Sequence, residues 1–395
     1  MQRINNSSSG RVRWHGLALV CTLSTLAQIA QLGILPPLLA LILQNRGIPA
    51  AQIGVFSAAP WLMILAVSRF VPRLITNLGL VRAGALAIAA SIVSVAGMAA
   101  ASDFWILLAF NFATGFGLIL RWIVCDLWIL QIAGESWRGC AIGTHETLMG
   151  LGIAVGPGML VATGIDGAAP FAMCAGVLAL ALVPLSVALQ WDARPADTKK
   201  SSDGDGFFVL LAILPTALAG AFVCGFIETS AISLLPASAA GLGMSAAAAA
   251  LLVTAFGAGN TLLQFPLGWL ADKISCARAQ IVAAIVTLVG AAVFPLAIDG
   301  DNLQAGTGVL PWVVLFFWGG AAGGMNTLAV MEASEKTGGA RLVAALSTVA
   351  VAYTIGGVIG PAASGAALQI FPLHGFMLAA AVAAVAFLVV VGRRK

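Results

Sequence analysis

The sequence predicts an all-α integral membrane protein with twelve transmembrane helices in two six-helix bundles. Three observations carry that expectation. Of its 395 residues, 61% are hydrophobic and only 9% are charged, against about 25% charge in an ordinary soluble domain. Twelve long apolar stretches follow one another, each able to cross roughly 30 Å of hydrocarbon, and the charges fall mainly in the gaps. The order of signals in the first half of the chain then returns in the second.

In chain order the predicted spans are 15–42, 50–73, 81–101, 104–131, 139–164 and 168–188, then 207–236, 246–267, 279–297, 309–331, 342–369 and 373–391. Residues 189–206, LQWDARPADTKKSSDGDG, with Pro, Gly, Ser and mixed charge, read as a linker between residues 1–188 and 207–395. The repeat is visible in particular residues. Leu35-Pro36 answers to Leu235-Pro236, and Gly47-Ile48-Pro49 to Gly243-Met244-Ser245. Pro72, Thr76, Gly79 and Arg82 have the spacing of Gly268, Asp272, Ser275 and Arg278, and Gly156-Pro157 answers to Gly360-Pro361. Glycines along 150–158 and 356–365 remove bulk for close helix packing, and Pro157 and Pro361 offer bending points that suit gating.

The net charge of +4 matters less than its placement. Arg69, Arg73, Arg82, Arg138, Lys199, Lys200, Lys273, Arg278, Lys336 and Arg341 occupy one set of gaps, joined by basic residues at both termini. The opposite gaps hold Arg46 together with Asp103, Asp166, Asp299 and Asp301. The positive-inside rule therefore predicts cytoplasmic termini and a multi-pass protein of a bacterial inner membrane. Basic residues scattered over short loops exclude a nucleic-acid groove. The first span is too long for a cleavable leader and reads as part of the fold. The six cysteines form no CxxC pair and read as packing groups, so neither a disulfide nor a metal site is expected. No HExxH, Walker or GxSxG motif is present, which argues against an enzyme or a self-contained ATP-driven pump.

Ionisable and polar residues inside apolar spans are the candidate functional groups, because each is costly against lipid and must face protein or water. Glu228 is the sharpest, a carboxylate among small and apolar neighbours, with a proton-coupling or substrate role set against a structural hydrogen bond. Gln28 holds the comparable place in the first half. Arg121 is expected either to pair with Glu228, Asp126 or Glu146 or to bind an anionic substrate. Asp126, His145 and Glu146 form a candidate cluster, although adjacency sends His145 and Glu146 in different directions. Gln31, Asn260, Gln264, Asn326 and Tyr353 add polar contacts to a central passage, Asn260 and Gln264 sharing a helix face. Trp318 lies deep enough to line a cavity, while Trp122, Trp128 and Trp312 stand between that role and interfacial anchoring.

These features resemble the major facilitator superfamily, and among its branches the YcaD-like one. GWLADKISCAR, residues 268–278, resembles the family's loop motif between the second and third helices of a half, and RFVPRLITNLGLVR, residues 69–82, resembles a degraded copy with Thr76 where an acid is expected. The glycine–proline pattern of 150–158 is similar to a fifth-helix motif of family exporters. The branch resemblance is densest in 120–139 and 225–272. Asn111, four residues before Gly115, stands where the family's fourth-helix motif has arginine, which departs from the usual proton-coupling arrangement.

The resemblance implies a rocker-switch carrier, in which Asp272, Lys273 and Arg278 would latch the cytoplasmic side in one state and release it in another, aided by Glu135 and Arg138 in the first half. The expected activity is secondary active transport of a small molecule by alternating access, proton-coupled, with efflux of a hydrophobic or cationic compound as the leading reading. Uptake of a nutrient or organic anion is the alternative, and a membrane receptor or assembly protein without net flux is the reading from another class. No cofactor beyond coupling protons, no nucleic acid and no obligatory protein partner is expected; membrane lipids and a small-molecule substrate are.

Overall fold

The computed structural model describes residues 14–133, 138–188, 207–297, 308–337, 340–372 and 374–392. Glu135 and the 189–206 linker lie outside them, as does the side chain of Arg138. All regular structure among the described residues is helical. Among the described residues, twelve helices are long and apolar enough to cross a membrane. They are α1 (Trp14–Asn45), α2 (Ala50–Val67), α3 (Leu80–Ala100), α4 (Phe104–Ile132), α5 (Arg138–Thr163), α6 (Ala169–Val187), α7 (Pro215–Gly241), α8 (Ala246–Ile274), α9 (Cys276–Ala297), α10 (Leu310–Lys336), α11 (Ala340–Ile370) and α12 (Gly375–Gly392). An even number of crossings places the start of α1 and the end of α12 on the same face, called here the terminal face.

Prolines explain where the helices depart from the predicted spans. The expected 50–73 span ends at Val67, and a separate short helix, Val71–Leu78, begins with Pro72 in its first turn. The expected 207–236 span is two helices, Phe207–Ile213 and α7, parted where Pro215 has no N–H to continue the ladder. Within α1, residues Ile29–Ile34 form a π-helical turn in which Leu35 N–H reaches back to the carbonyl of Ala30. Pro36 and Pro37 follow at once and cannot donate, so the wider turn absorbs the break. The small residues expected to favour close approach do so here. Gly33 of the π turn lies against Gly152 and Gly156 of α5, where a Cβ on any of the three would meet backbone or the Gln28 side chain.

The repeated residues adopt repeated turns. At the end of α1, Ile48 N–H bonds to Leu43 O and Gly47 N–H to Gln44 O; at the end of α7, Met244 N–H bonds to Ala239 O and Gly243 N–H to Ala240 O. Both are Schellman-type caps with a glycine at positive φ, 71° and 96°. On the terminal face, Gly79 and Ser275 turn the chain with φ of 82° and 98°. The second copy therefore places a serine where backbone geometry favours glycine.

Helices α1–α6 meet α7–α12 through crossed pairs. α2 packs on α11 and α5 on α8, and the Leu35–Asn45 part of α1 packs on α7. Gly54 of α2 sits against the Pro361 carbonyl and Gly365 of α11, and Gly257 of α8 against Ile153 and Ala154 of α5. Gly360 faces the other way, onto Phe226 of α7. These contacts join the halves at mid-depth and toward the face opposite the termini. Nearer the terminal face the packing thins: a Cβ added at Gly143 would meet no other helix within 4 Å, and one at Gly268 would meet only Met331 of its own half.

Candidate functional site

The inner helices line a partly open space bounded by Gln28, Leu32, Trp122, Glu146, Met149, Gly150, Ile153, Glu228, Asn260, Gln264, Gly323, Asn326, Thr327 and Tyr353. Seven of the expected transport residues meet in it: Gln28, Glu146, Glu228, Asn260, Gln264, Asn326 and Tyr353. They come from α1, α5, α7, α8, α10 and α11, so both halves supply walls.

Glu228 stands on α7, a helix buried along most of its length. Asn260 Nδ2 donates to Glu228 Oε2 at 3.3 Å, and Cys224 Sγ–H, one turn back, donates to the same oxygen at 3.6 Å. The Tyr353 hydroxyl also hydrogen-bonds the carboxyl group. Gln264 Nε2 then donates to Asn260 Oδ1 at 3.0 Å, so the i,i+4 pair forms as its spacing predicts and holds the Asn260 amide toward Glu228. Among the described residues, every direct partner of this carboxylate is uncharged.

Arg121 is almost fully buried on α4, behind the cavity wall. The expected acid partners do not bond it. Its Nη2 donates to Gln28 Oε1 at 2.7 Å, Nε to Gln31 Oε1 at 3.0 Å, and Nη1 to Ser24 Oγ at 2.8 Å and Met149 Sδ at 3.4 Å. Gln31 in turn donates to Ser91 Oγ at 2.8 Å. The π turn and the residues before it thus place three α1 side chains around one guanidinium. An acid partner was one of the two expectations for Arg121, since opposite charges are the simplest answer to burial; a set of amide and hydroxyl acceptors answers it as well.

Asp126, His145 and Glu146 do come together, at the α4–α5 contact. Adjacent residues point apart as expected, His145 back toward Ser24 of α1 and Glu146 into the cavity, yet their tips stay close. Trp318 is not a cavity residue: it is fully buried between Phe256 and Phe376 in the second-half core, with ring centroids at 5.8 and 5.4 Å. Trp122 is a cavity wall instead, edge-on to Tyr353 at 6.4 Å. Gln31 lines a second space on the side away from the termini, with Pro36, Phe56, Trp61, Asn111 and Ser233 among its walls. Leu32 borders both spaces, and the Trp61–Tyr353 ring pair, 5.6 Å apart, stands between them. Asn111 donates to Phe56 O at 2.7 Å and so ties α4 to α2.

On the terminal face, Asp272, Lys273 and Arg278 are exposed, and no ion pair joins them among the described residues. Lys273 lies 5.9 Å from the Trp269 ring centroid. A buried charge beside them was not expected: Glu332 of α10 accepts from Gln280 Nε2 of α9 at 3.0 Å and pairs with Lys336 one turn along.

The family model for the Major Facilitator Superfamily matches residues 21–217 and again residues 217–395. The chain belongs to this superfamily. It is a multi-pass membrane protein and a secondary transporter by that membership. Among curated relatives it is similar to the uncharacterized transporter YfkF of Bacillus subtilis, 26% identical over 91% of this chain and 90% of the relative. It is also similar to the uncharacterized transporter YcaD of Salmonella heidelberg, 22% identical over 86% and 85%. Among solved structures it shares the fold of a mutant of the nucleoside transporter NupG, with a TM-score of 0.79, 10% identity and coverage of 95% and 98%. A bacterial homolog of the human lysosomal transporter Spinster, in an inward-facing, occupied conformation, matches with a TM-score of 0.70, 14% identity and coverage of 98% and 96%.

Proposed function

We propose that this superfamily member is a proton-coupled carrier of a small molecule in the inner membrane of a bacterium, with both termini cytoplasmic, and that the cavity between its halves is the cargo site. The observation that carries the reading is Glu228: a carboxylate on the cavity wall whose direct partners are all neutral. Such a group can take up a proton or meet a cation without first breaking an ion pair. Glu146 supplies a second carboxylate from the opposite half, and Trp122 and Tyr353 supply aromatic surface. That chemistry suits a hydrophobic or cationic compound, and export is the direction we favour. Proton and cargo move the protein only through unequal affinity for its two states.

Similarity to YcaD and YfkF supports assignment to the YcaD-like branch. The exposed Asp272, Lys273 and Arg278 fit a latch in its released state, and Gly156-Pro157 and Gly360-Pro361 lie on the two helices, α5 and α11, that cross the opposite half. An organic-anion carrier is the second reading, supported by the neutral hydrogen-bond partners of Arg121. Catalytic activity forms no part of the proposal.

The deciding experiment is flux in proteoliposomes under an imposed pH gradient, with cationic and anionic compound panels. Glu228→Gln should abolish gradient-driven accumulation of a cationic cargo while leaving counterflow exchange measurable. Unchanged gradient-driven accumulation in Glu228→Gln would remove the coupling role. Anion-only transport would select the second reading. Substrate-dependent conformational change without any flux would favour a receptor.

A further inference from the structure

Between α4 and α5 lies a cluster that neither the cavity nor the coupling proposal uses as a unit. The ligand-type atoms of Asp126, His145 and Glu146 all lie within 4.8 Å of one another. His145 is fully buried, yet its Nδ1 has no hydrogen-bond partner. That nitrogen lies 3.5 Å from Asp126 Oδ1. The other ring nitrogen, Nε2, lies 2.7 Å from Ser24 Oγ, which fixes the plane of the ring.

In the tautomer with its proton on Nε2, Ser24 accepts that proton and Nδ1 turns a lone pair toward Asp126. Two acceptors then face each other across 3.5 Å inside the protein. A cation between them turns that repulsion into attraction. Two ligand atoms each about 2.1 Å from a tetrahedral ion stand roughly 3.4 Å apart, so the His145–Asp126 separation has the span of a ligand edge. Glu146, with a longer and only partly buried side chain, can close the remaining distance. Asp126 keeps 40% of its side chain exposed, which leaves an entry path and room for a water ligand.

The charges permit it. Two carboxylates outweigh the one nearby cation, Arg121, whose guanidinium is turned toward Ser24, Gln28 and Gln31. Ser24 holds the ring of His145 on one side and accepts from Arg121 on the other, the kind of outer hydrogen bond that orients a metal-binding imidazole.

We propose that Asp126, His145 and Glu146 bind a divalent transition-metal ion of the zinc class. One imidazole with two carboxylates suits zinc, manganese or cobalt and offers nothing special to sodium or potassium. Glu146 also lines the cavity, so a bound metal draws one of its two carboxylates aside. Metal and cationic cargo are therefore competitors.

The test is binding, not transport. Purified protein in detergent is titrated with Zn2+ by calorimetry and with Co2+ by its visible d–d absorption. One ion per chain is expected. Asp126→Asn, His145→Gln and Glu146→Gln should each weaken binding at least about tenfold, whereas Asp126→His, which keeps a ligand atom, should retain the Co2+ band and Asp272→Asn should bind as the parent does. Metal-free melting curves check that each variant is folded; if His145→Gln fails to fold, the contrast between Asp126→Asn and Asp126→His decides. Absence of binding at millimolar Zn2+, or binding that Asp126→Asn and His145→Gln leave unchanged, overturns the site. Either result leaves the coupling role of Glu228 to its own flux assay.

Discussion

Gln28 and Glu228 hold comparable places on the first helix of each half, and their surroundings are opposite. Gln28 accepts from a buried guanidinium, with Gln31 and Ser24 completing the set. Glu228 is itself the charge, and Asn260, Cys224 and Tyr353 donate to it. The first half carries a cation solvated by amide and hydroxyl oxygens; the second carries an anion solvated by amide, thiol and phenol donors. Neither charge is spent on the other. The two related bundles thus hold a cation behind the cavity wall and a carboxylate on it, each satisfied locally by neutral groups.

The largest way to break this comparison is to remove the cation. Arg121→Met leaves the Gln28 and Gln31 amide oxygens without their donor, and we expect a loss of about 2–3 kcal/mol in stability together with loss of flux. Denaturant unfolding in detergent and a proteoliposome assay measure the two. Arg121→Lys should fall between, because one ammonium cannot reproduce the fork; stability equal to the parent in both variants would show that the network contributes nothing.

Next comes the anion. Glu228→Gln keeps the shape and removes the charge, so its fold should survive with a melting temperature near the parent's while gradient-driven accumulation drops to the passive level. A collapse in melting temperature would make Glu228 structural. A sharper probe is Gln28→Glu, which places a carboxylate 2.7 Å from Arg121 Nη2 in the parent geometry. It should form a fixed ion pair, change stability by no more than about 1–2 kcal/mol, and slow exchange by pinning the first half. Exchange at the parent's rate would show that an ion pair there costs nothing in mobility.

The smallest effect compares the terminal-face turns rather than the charges. Gly79 and Ser275 share a positive φ, and only the serine carries a Cβ. Ser275→Gly should raise stability by about 1 kcal/mol, read as a higher melting temperature. A drop would mean that the serine side chain contributes more than the turn strain costs.

Much of the site was legible because charge and amide groups stand out against apolar spans. Glu228, Gln28, Asn260 and Gln264 were identifiable one at a time, and the i,i+4 relation linked the last two. Partnership was not legible in the same way. Ser24 is an ordinary small polar residue in a helix, and nothing in its sequence context marks it as the bridge between Arg121 and His145, which lie 97 and 121 positions away. Trp318 and Trp122 both lie within apolar spans; one packs in the core and the other lines the cavity, because rotation of a nearly uniform apolar helix is set by its neighbours and not by its own pattern.

The sequence by itself determined the twelve crossings, their order and the paired turns, since lipid demands long apolar helices with internally satisfied backbones and Gly or Pro marks where they stop. Tertiary structure decided which buried charge faces which neutral partner, which helix of one half crosses which of the other, and where the π turn in α1 presents its glutamines. Those outcomes depend on atoms far apart in the chain arriving within about 3 Å of one another, at the length of a hydrogen bond, and no local periodicity encodes that approach.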